Sequence, residues 1–240
     1  MKGEGWRVRK GDLKRGSILE TAERLFFEKG YDQTSVQDIL DALSLSKGGF
    51  YHHFPSKEAI LAEICENRVT SVLGQLKWEL FGVKVSPMDK MNLLLRRVNL
   101  FERDDAAFAA LMLKVCYVDG DVRIREHMRS TVLAQLLPYA DDVLREGLDS
   151  GDFFVRSPGQ IVPIVFGMAS DANDSACRIL AAGPDNPESV LEIAERLNAC
   201  RDAVETLLGA PFGSIMLFDP ARLVSDYRAA AAELLKLEGK

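Results

Sequence analysis

The sequence is poor in the residues that metal sites and disulfide frameworks require. Among 240 residues there are only four cysteines and three histidines. The cysteines lie far apart and form no CxxC pair; they are Cys65, Cys116, Cys177 and Cys200. This spacing indicates neither a zinc site nor a set of disulfides. It favours reduced, mostly buried thiols, and a redox-sensing role stays open as the alternative.

Sequence motifs of catalysis are also missing. The chain contains no GxSxG, no HExxH, no phosphate-binding loop and no Cys–His pair at a recognisable spacing. Each of these motifs holds a nucleophile, a metal ion or a phosphate in a fixed geometry. We therefore expect a protein that is not an enzyme and that has no catalytic residues, no metal site and no cofactor.

Long apolar runs are absent as well. No run approaches the ~18 residues that a membrane span needs, and the N-terminal residues lack the apolar core of a signal peptide. Apolar residues nevertheless make up 47% of the chain, enough to bury a sizeable core. We expect a cytoplasmic protein without a membrane partner.

Charge is unevenly distributed along the chain. The formal net charge is −6, but residues 1–15 carry six basic and two acidic side chains, a net +4 that leaves −10 for the remainder. A basic end on an acidic body predicts an anionic partner at that end. A solvated tail is the alternative.

Hydrophobic residues recur at helical spacing almost throughout, and no convincing strand is present. Gly30 is expected to end a first helix. Thr34 with Gln37 predicts a capping box for a second. Ser46 and Ser56 are the expected caps of a third and a fourth helix.

The remainder of the chain also has the pattern of helices. They are expected at about 87–102, 105–118, 122–150, 158–182, 188–208 and 220–237. The fold class is therefore all-α, with a small N-terminal bundle joined to a larger helical body. The predicted domains are 12–60 and 61–240.

The stretch "LSKGGFYHHFPSK", residues 45–57, combines glycines, histidines and aromatics between two helices. Phe50 and Phe54 are four residues apart, so they share the inner face of a short helix. The residues left on its outer face are small or can donate hydrogen bonds; they are Lys47, Gly48, Gly49, Tyr51, His52 and His53. A helix of this kind suits the DNA major groove.

This stretch has two other interpretations. The glycines cost about 1 kcal/mol each relative to alanine inside a helix, and they could form a kink beside incidental aromatics. The adjacent histidines could suggest a metal, but they point about 100° apart on a helix and neither has a carboxylate or a cysteine four residues later.

The sequence "AERLFFEKGYDQTSVQDILDALSLSKGGFYHHFPSKEAIL" resembles the DNA-binding domain of the TetR family of bacterial transcriptional regulators. The resemblance runs from about Ser17 to Leu61, a fifth of the chain. It implies a recognition helix at about 46–53 that enters the major groove. The implied DNA-contacting residues are Thr34, Ser35, Ser46, Lys47, Gly48, Gly49, Tyr51, His52 and Lys57. The basic stretch Trp6–Lys10 is a candidate for the adjacent minor groove.

The resemblance further implies a repressor that binds a palindromic operator as a homodimer and that a small-molecule effector releases. The dimer would form through the helices at 158–182 and 188–208, with candidate interface residues Ile161, Val165, Met168, Ala172, Ala176 and Ile179. Aromatic and soft side chains make a candidate effector pocket; they are Phe101, Phe108, Met112, Cys116, Tyr117, Met128 and Tyr139. The alternative function is a helical protein-interaction module that does not bind DNA.

The sequence leaves the effector's chemistry open. Cationic compounds would favour acidic pocket walls, and fatty acyl compounds a long apolar tunnel. The apolar segment 211–218, "PFGSIMLF", could cover either the pocket or the edge of the dimer.

Overall fold

The computed structural model describes residues 10–81, 85–98, 106–184, 186–219 and 221–239. These residues form ten α-helices: α1 (Lys10–Lys29), α2 (Val36–Leu43), α3 (Lys47–Tyr51), α4 (Lys57–Phe81), α5 (Pro87–Arg96), α6 (Ala106–Leu113), α7 (Val122–Ser150), α8 (Ile161–Ala182), α9 (Glu188–Leu208) and α10 (Leu223–Leu237). The described ranges contain no strand, and the all-α prediction is confirmed.

The chain divides into two compact units, Met1–Arg68 and Val69–Lys240. The division falls inside α4, so one continuous helix contributes to both units. The domain limits expected from the sequence, 12–60 and 61–240, stay a prediction.

Most helix ends lie where the local sequence signals predict them. Gly30 follows α1 with φ +91°, and Gly151 ends α7 with φ +82°. The hydroxyl of Ser46 accepts a hydrogen bond from the Gly49 N–H at 3.2 Å, and Ser56 accepts one from the Ala59 N–H at 3.3 Å. These side chains satisfy donors that the first turn of a helix leaves free.

The expected helix at 105–118 is not a single α-helix. After α6 the backbone changes to a π-helical turn, Lys114–Val118. A π-helical turn accommodates an extra residue and rotates the side chains that follow it. Cys116 and Tyr117 lie on this turn. The preceding helix is also shorter than expected, because α5 ends at Arg96 and not near residue 102.

The second helix is capped one residue later than the sequence predicts. Ser35, not Thr34, is the N-cap of α2, and its capping-box partner is Asp38 rather than Gln37. A hydrogen bond from Lys29 Nζ at 2.6 Å and further ones from Ser35 hold the pKa of Asp38 well below its usual range. The cap falls on Ser35 because Thr34 is fully buried and donates its hydroxyl to the Gly30 carbonyl at 2.7 Å.

The first unit has a continuous apolar core. Its members come from α1, α2, α4 and the segment around α3; they are Ile18, Ala22, Phe26, Ile39, Leu40, Phe50, Phe54, Ile60, Leu61, Ile64 and Cys65. The Phe50 and Phe54 rings lie with their centroids 6.5 Å apart. Both are buried, as their spacing in the sequence predicts. The helix is shorter than the expected 46–53, however, since α3 ends at Tyr51 and Phe54 follows it after a short turn. A five-residue helix is not stable by itself, so burial of these rings is what holds α3 in the first unit.

Ser44, which ends α2, adopts a left-handed conformation with φ 51° and ψ 41°. A side chain in this region costs roughly 1–2 kcal/mol, a penalty that glycine avoids. We expect Ser44→Gly to stabilise the first unit by about 0.5–1 kcal/mol, since glycine also loses more entropy on folding. Amide hydrogen exchange of α2 measures this change. Faster exchange in Ser44→Gly than in the native chain would contradict it, and Ser44→Val is expected to accelerate exchange.

The second unit is built from paired helices. Helix α8 packs along α9, α10 packs on α6, and α5 packs on α7. Their buried faces form one core that includes Leu94, Leu136, Val143, Phe166, Leu180 and Tyr227. Helices in such a bundle present one apolar stripe inward.

The apolar segment 211–218 is part of this core. Ile215, Leu217 and Phe218 are buried in it. The Asn92 amide on α5 donates to the Ser214 carbonyl and accepts from the Met216 N–H, each at 2.8 Å. These bonds and one from the Ile215 N–H to Glu205 at 3.0 Å replace the partners that a helix or strand would supply.

Candidate functional site

Helices α2 and α3 and the short turn between them form a helix-turn-helix. The turn closes with the Leu45 N–H on the Leu40 carbonyl at 2.9 Å. Helix α3 follows at once from its cap, Ser46. Because Phe50 is buried, the opposite face of α3 is presented to solvent. This face is the first candidate site.

Arg15 on α1 holds the end of α3 in place. Its guanidinium donates to the His53 carbonyl at 2.7 Å and to Glu63 on α4 at 2.8 Å. It also lies 4.3 Å from the centroid of the Phe54 ring. An arginine that combines an ion pair, a backbone contact and a ring contact positions its neighbours more firmly than an isolated surface pair. Nothing in the sequence near Arg15 indicates this role, because its partners lie 38 and 48 residues away.

Three residues on the outer face of α3 and at its end are exposed hydrogen-bond donors. Lys47 and His52 are exposed, and Tyr51 is 54% exposed. Across the part of the chain that the structure describes, none of the three side chains makes an ion pair or hydrogen bond. Their donors are therefore available to an external partner. An amine, a phenol and an imidazole are groups that bind phosphate oxygens.

The two glycines of α3 have different local surroundings. A Cβ on Gly49 would lie 3.3 Å from the capping hydroxyl of Ser46, so glycine relieves crowding at that position. A Cβ on Gly48 would meet nothing within 4 Å. The fold therefore gives no reason for glycine at residue 48, although glycine weakens a helix by about 1 kcal/mol relative to alanine.

The other residues predicted to contact DNA have side chains that already make contacts within the protein. Thr34 is fully buried and its hydroxyl donates to backbone carbonyls, so in this structure its side chain has no donor free for a phosphate; its DNA contact stays a prediction. Ser35 and Ser46 are exposed, but each hydroxyl serves as a helix cap. Lys57 is half-buried, donates to the Tyr31 carbonyl at 2.7 Å and lies 4.1 Å from the Tyr31 ring centroid. The basic stretch Trp6–Lys10 lies outside the residues whose side chains are described.

A cavity of about 170 Å³ in the second unit is the second candidate site. It is lined by residues from α6, the π-helical turn, α7 and α8, together with Val98. Of the residues expected there, Met112, Cys116, Tyr117 and Met128 line it. Phe108 and Tyr139 pack elsewhere in the unit and do not line it, and Phe101 lies outside the described residues.

Polar residues of the cavity wall were missed by the sequence analysis. Their side chains are Arg125, Glu126, Arg129, Ser170, Asn173, Asp174 and Arg178. The sequence does contain a signal for those on α8. Ser170, Asn173, Asp174 and Cys177 recur at helical spacing and interrupt an otherwise apolar stripe. A search limited to aromatic and sulfur-containing side chains passes over such a pattern.

Asp174 organises one side of the cavity. Its carboxylate accepts the Tyr117 hydroxyl at 3.0 Å and the Arg178 Nε–H at 2.9 Å. Arg125 lies 3.6 Å from the same group. Burial raises the pKa of Tyr117 well above its usual range, and the neighbouring Asp174 adds to this effect, so the phenol stays protonated as a donor.

The cysteines are free thiols, and three of them are buried as expected. Burial raises the pKa of Cys116 and of Cys177 to about 12, and that of Cys200 to about 11. Reactive cysteines require the thiolate form. These environments therefore favour a packing role over the redox-sensing alternative.

Three of the six candidate dimer residues are buried inside their own unit. Ile161, Val165 and Ala176 pack in its core, so their side chains are not on the exposed face of α8, and their part in a dimer stays a prediction. Met168, Ala172 and Ile179 are half-buried. The large apolar side chains that α8 and α9 do expose are Ile164, 50% exposed, and Leu191, 64% exposed. The periodicity of apolar residues along α8 does not distinguish those on its buried face from those on its exposed face.

A search for metal and membrane features gives two negative findings. No group of three or more His, Cys, Asp or Glu side chains suited to a metal ion occurs in the described ranges. None of the helices that the structure describes is long and apolar enough to cross a bilayer.

Comparisons with known proteins agree with the helix-turn-helix. The family profile "Bacterial regulatory proteins, tetR family" matches residues 18–64. The HTH-type transcriptional regulator YerO of Bacillus subtilis (strain 168) is 41% identical over 64 residues, 27% of this chain. That match spans only 22% of the length of YerO.

Two further similarities extend beyond the first unit. The HTH-type transcriptional repressor KstR2 of Rhodococcus jostii (strain RHA1) is 30% identical over 145 residues, 58% of this chain and 68% of KstR2. The crystal structure of RolR in complex with the ligand resorcinol aligns with a TM-score of 0.53 and 18% identity, over 93% of this chain and 96% of RolR. The likeness to RolR shows the fold.

A helix-turn-helix with a buried inner face and a second, larger helical unit defines a class of DNA-associated regulators. On the strength of the profile match and the similarity to KstR2, the chain belongs to the TetR family of bacterial regulatory proteins.

Proposed function

We propose that the protein is a transcriptional repressor that binds operator DNA as a homodimer and is released by a small molecule bound in its second unit. The observation that carries this proposal is the outer face of α3 and its end, where Lys47, Tyr51 and His52 offer unused donors beside Gly48. In the proposal, α3 lies in the major groove. The two predicted domains, 12–60 and 61–240, take the DNA-binding and the effector and dimer roles.

The local charge supports a nucleic-acid partner. Residues 42–57 contain two lysines and two histidines and no Asp or Glu, although the whole chain is acidic. The phosphate backbone of DNA is attracted to this basic segment and repelled by the acidic remainder of the protein. An acidic body also limits non-specific binding, so the interaction depends on correct seating of the recognition helix.

The exposed residues of α8 and α9 support the homodimer. Isolated apolar side chains on a surface are common, but Ile164 and Leu191 lie on two helices that pack along each other. A second copy of the same surface would bury both in a two-fold interface. Such a dimer matches a palindromic operator, because two recognition helices then meet successive major grooves.

The named relatives support repression and release by a ligand. KstR2 is an HTH-type transcriptional repressor, and RolR is known in complex with resorcinol. The cavity between α6, α7 and α8 supplies a place for a ligand in this chain. The alternative, a protein-interaction module that does not bind DNA, would leave the donors of Lys47 and His52 without a phosphate to bind.

Binding to the DNA that flanks the protein's own gene tests the proposal. We expect Lys47→Ala to weaken operator binding by about tenfold and to lower the slope of log affinity against log salt by about 0.9 per operator half-site, because each phosphate contact releases counterions. Fluorescence anisotropy at several salt concentrations measures both quantities. Lys236→Ala is the matched control, since Lys236 is an exposed lysine at the end of α10.

The proposal fails if the native chain selects no sequence from random DNA. It also fails if Lys47→Ala and Lys236→Ala bind operator DNA equally well with equal salt slopes. The first outcome would favour the interaction module.

A further inference from the structure

The cavity of the second unit is small. Its volume is about 170 Å³, close to that of an engineered protein cavity of about 150 Å³ that binds benzene. Pockets for drug-sized ligands are roughly 300–1,000 Å³. The volume enclosed by the described residues therefore suits one six-membered ring with one or two small substituents, and it is less than a long fatty acyl chain would fill.

Apolar side chains form part of the wall. Val98, Met112, Met128 and Val132 line the cavity together with the ring of Tyr117. Flat apolar walls with soft methionines suit the faces of an aromatic ring.

Most of the charges at the cavity are already neutralised by one another. Arg178 and Arg125 share Asp174 as their counterion. Arg125 also donates to the Cys116 carbonyl at 3.4 Å and lies 5.5 Å from the Tyr117 ring centroid. With two arginines and one tyrosine around it, Asp174 has little capacity left for a cationic ligand.

Two polar atoms at the cavity have no such partner. The Nε of Arg129 and the Oδ1 of Asn173 are buried, and neither has a hydrogen-bond partner among the described residues. Among the described residues, the ion pair of Arg129 is to Asp171 at 3.3 Å, through Nη2; the Arg129 side chain is 38% exposed and that of Asp171 71% exposed. Arg129 and Asn173 both line the cavity. A small rotation of either side chain would turn the free donor of Arg129 or the free acceptor of Asn173 toward a ligand, which would satisfy atoms that proteins rarely leave unpaired.

We propose that the effector is a single-ring aromatic carboxylate that also carries a hydroxyl or amino group. The carboxylate binds Arg129, which has no fully buried counterion of its own, and the hydroxyl or amino group donates to Asn173 Oδ1. The ring lies between the methionine and valine side chains. This inference rests on the proposed function, because it names the chemistry of the ligand that would release the protein from DNA.

Calorimetric titration of the native chain in the absence of DNA tests the effector class. The probes are the three hydroxybenzoate isomers, benzoate, phenol, benzylammonium and octanoate. We expect at least one hydroxybenzoate to bind most tightly, benzoate and phenol to bind more weakly, and benzylammonium and octanoate not to bind. A charge-assisted hydrogen bond in a buried site accounts for about a 10- to 100-fold difference between carboxylate and phenol.

Two substitutions test the assigned contacts separately. Arg129→Gln is expected to weaken the binding of hydroxybenzoate and of benzoate about tenfold or more, while the affinity for phenol stays unchanged. A general loss of folding would weaken the binding of all three compounds. Asn173→Leu is expected to lower the affinity for hydroxybenzoate to that for benzoate, while the affinity for benzoate itself stays unchanged. Arg196→Gln, an exposed arginine on α9, is the control.

The proposal is overturned if benzylammonium or octanoate binds more tightly than every aromatic carboxylate. Equal carboxylate binding by the native chain and Arg129→Gln, or no binding of any ring compound at millimolar concentration, also overturns it. Because DNA is absent from the titration, carboxylate binding by a chain that fails to bind operator DNA would reject only the proposed function. Operator binding without carboxylate binding would reject only the effector class.

Discussion

Replacement of Gly147 by alanine is expected to lower the free energy of unfolding of the second unit by about 2–3 kcal/mol. Gly147 lies near the end of α7, and a Cβ there would stand 2.0 Å from the ring of Phe153. Phe153 is buried in the core and cannot swing into solvent. Its own N–H is bonded to the Gly147 carbonyl at 3.1 Å, so ring and helix cannot easily separate. Urea unfolding followed by circular dichroism measures the loss.

Gly74→Ala is the matched control for this prediction. Gly74 lies within α4, and a Cβ there would meet nothing within 4 Å. We expect it to stabilise the helix by up to about 1 kcal/mol. The double variant Gly147→Ala with Phe153→Leu should recover part of the loss, because the three atoms nearest the added Cβ all belong to the Phe153 ring. Equal stability of Gly147→Ala and the native chain would show that α7 can shift away from Phe153.

Replacement of Gly48 by alanine is expected to change stability and DNA binding in opposite directions. The added methyl group meets nothing in the free protein and removes the helix penalty of glycine, so stability should rise by up to about 1 kcal/mol. Operator affinity should fall by about tenfold or more, because Gly48 is proposed to lie where the backbone of α3 comes closest to base edges. Thermal unfolding and anisotropy on the same preparations measure the two effects.

Gly16→Ala is the comparison for Gly48→Ala. It also adds a methyl group to a helix of the first unit, and that methyl group also meets nothing within 4 Å. Because it lies on α1 rather than α3, we expect a similar gain in stability with unchanged operator affinity. Unchanged affinity in Gly48→Ala would mean that residue 48 does not approach DNA closely, and the position of α3 in the groove would have to be revised.

The first unit could be predicted from the sequence in detail because its signals are local. Caps such as Ser46 and Ser56, the stop at Gly30 and the spacing of Phe50 and Phe54 each act within four or five residues. The one error in register, at Thr34, also has a local cause. Threonine and serine stand next to each other there, and only the burial of Thr34 decides which of them caps α2.

The second unit could be predicted only as a set of helices. Which face of α8 is buried depends on α9 and α7, and the sequence does not reveal how those helices are rotated. For this reason Ile161 and Ile164 look equivalent in the sequence, although one is buried and the other exposed. The polar side of the cavity could not be predicted for the same reason. Asp174 contacts Tyr117 and Arg125 only after three separate segments have packed together.

The attachment of residues 214–216 to Asn92 has a consequence for synthesis of the chain. The two ends of these hydrogen bonds are 122 and 124 residues apart. While the ribosome is still translating α9, Asn92 has emerged but its partners do not yet exist. Until residues 214–216 arrive, the Asn92 amide can pair only with water, and the place that Ile215 and Leu217 fill in the finished core stays open to solvent. These hydrogen bonds form only after residues 214–216 have been translated. A chain that ends before residue 214 would therefore lack part of the core of its second unit.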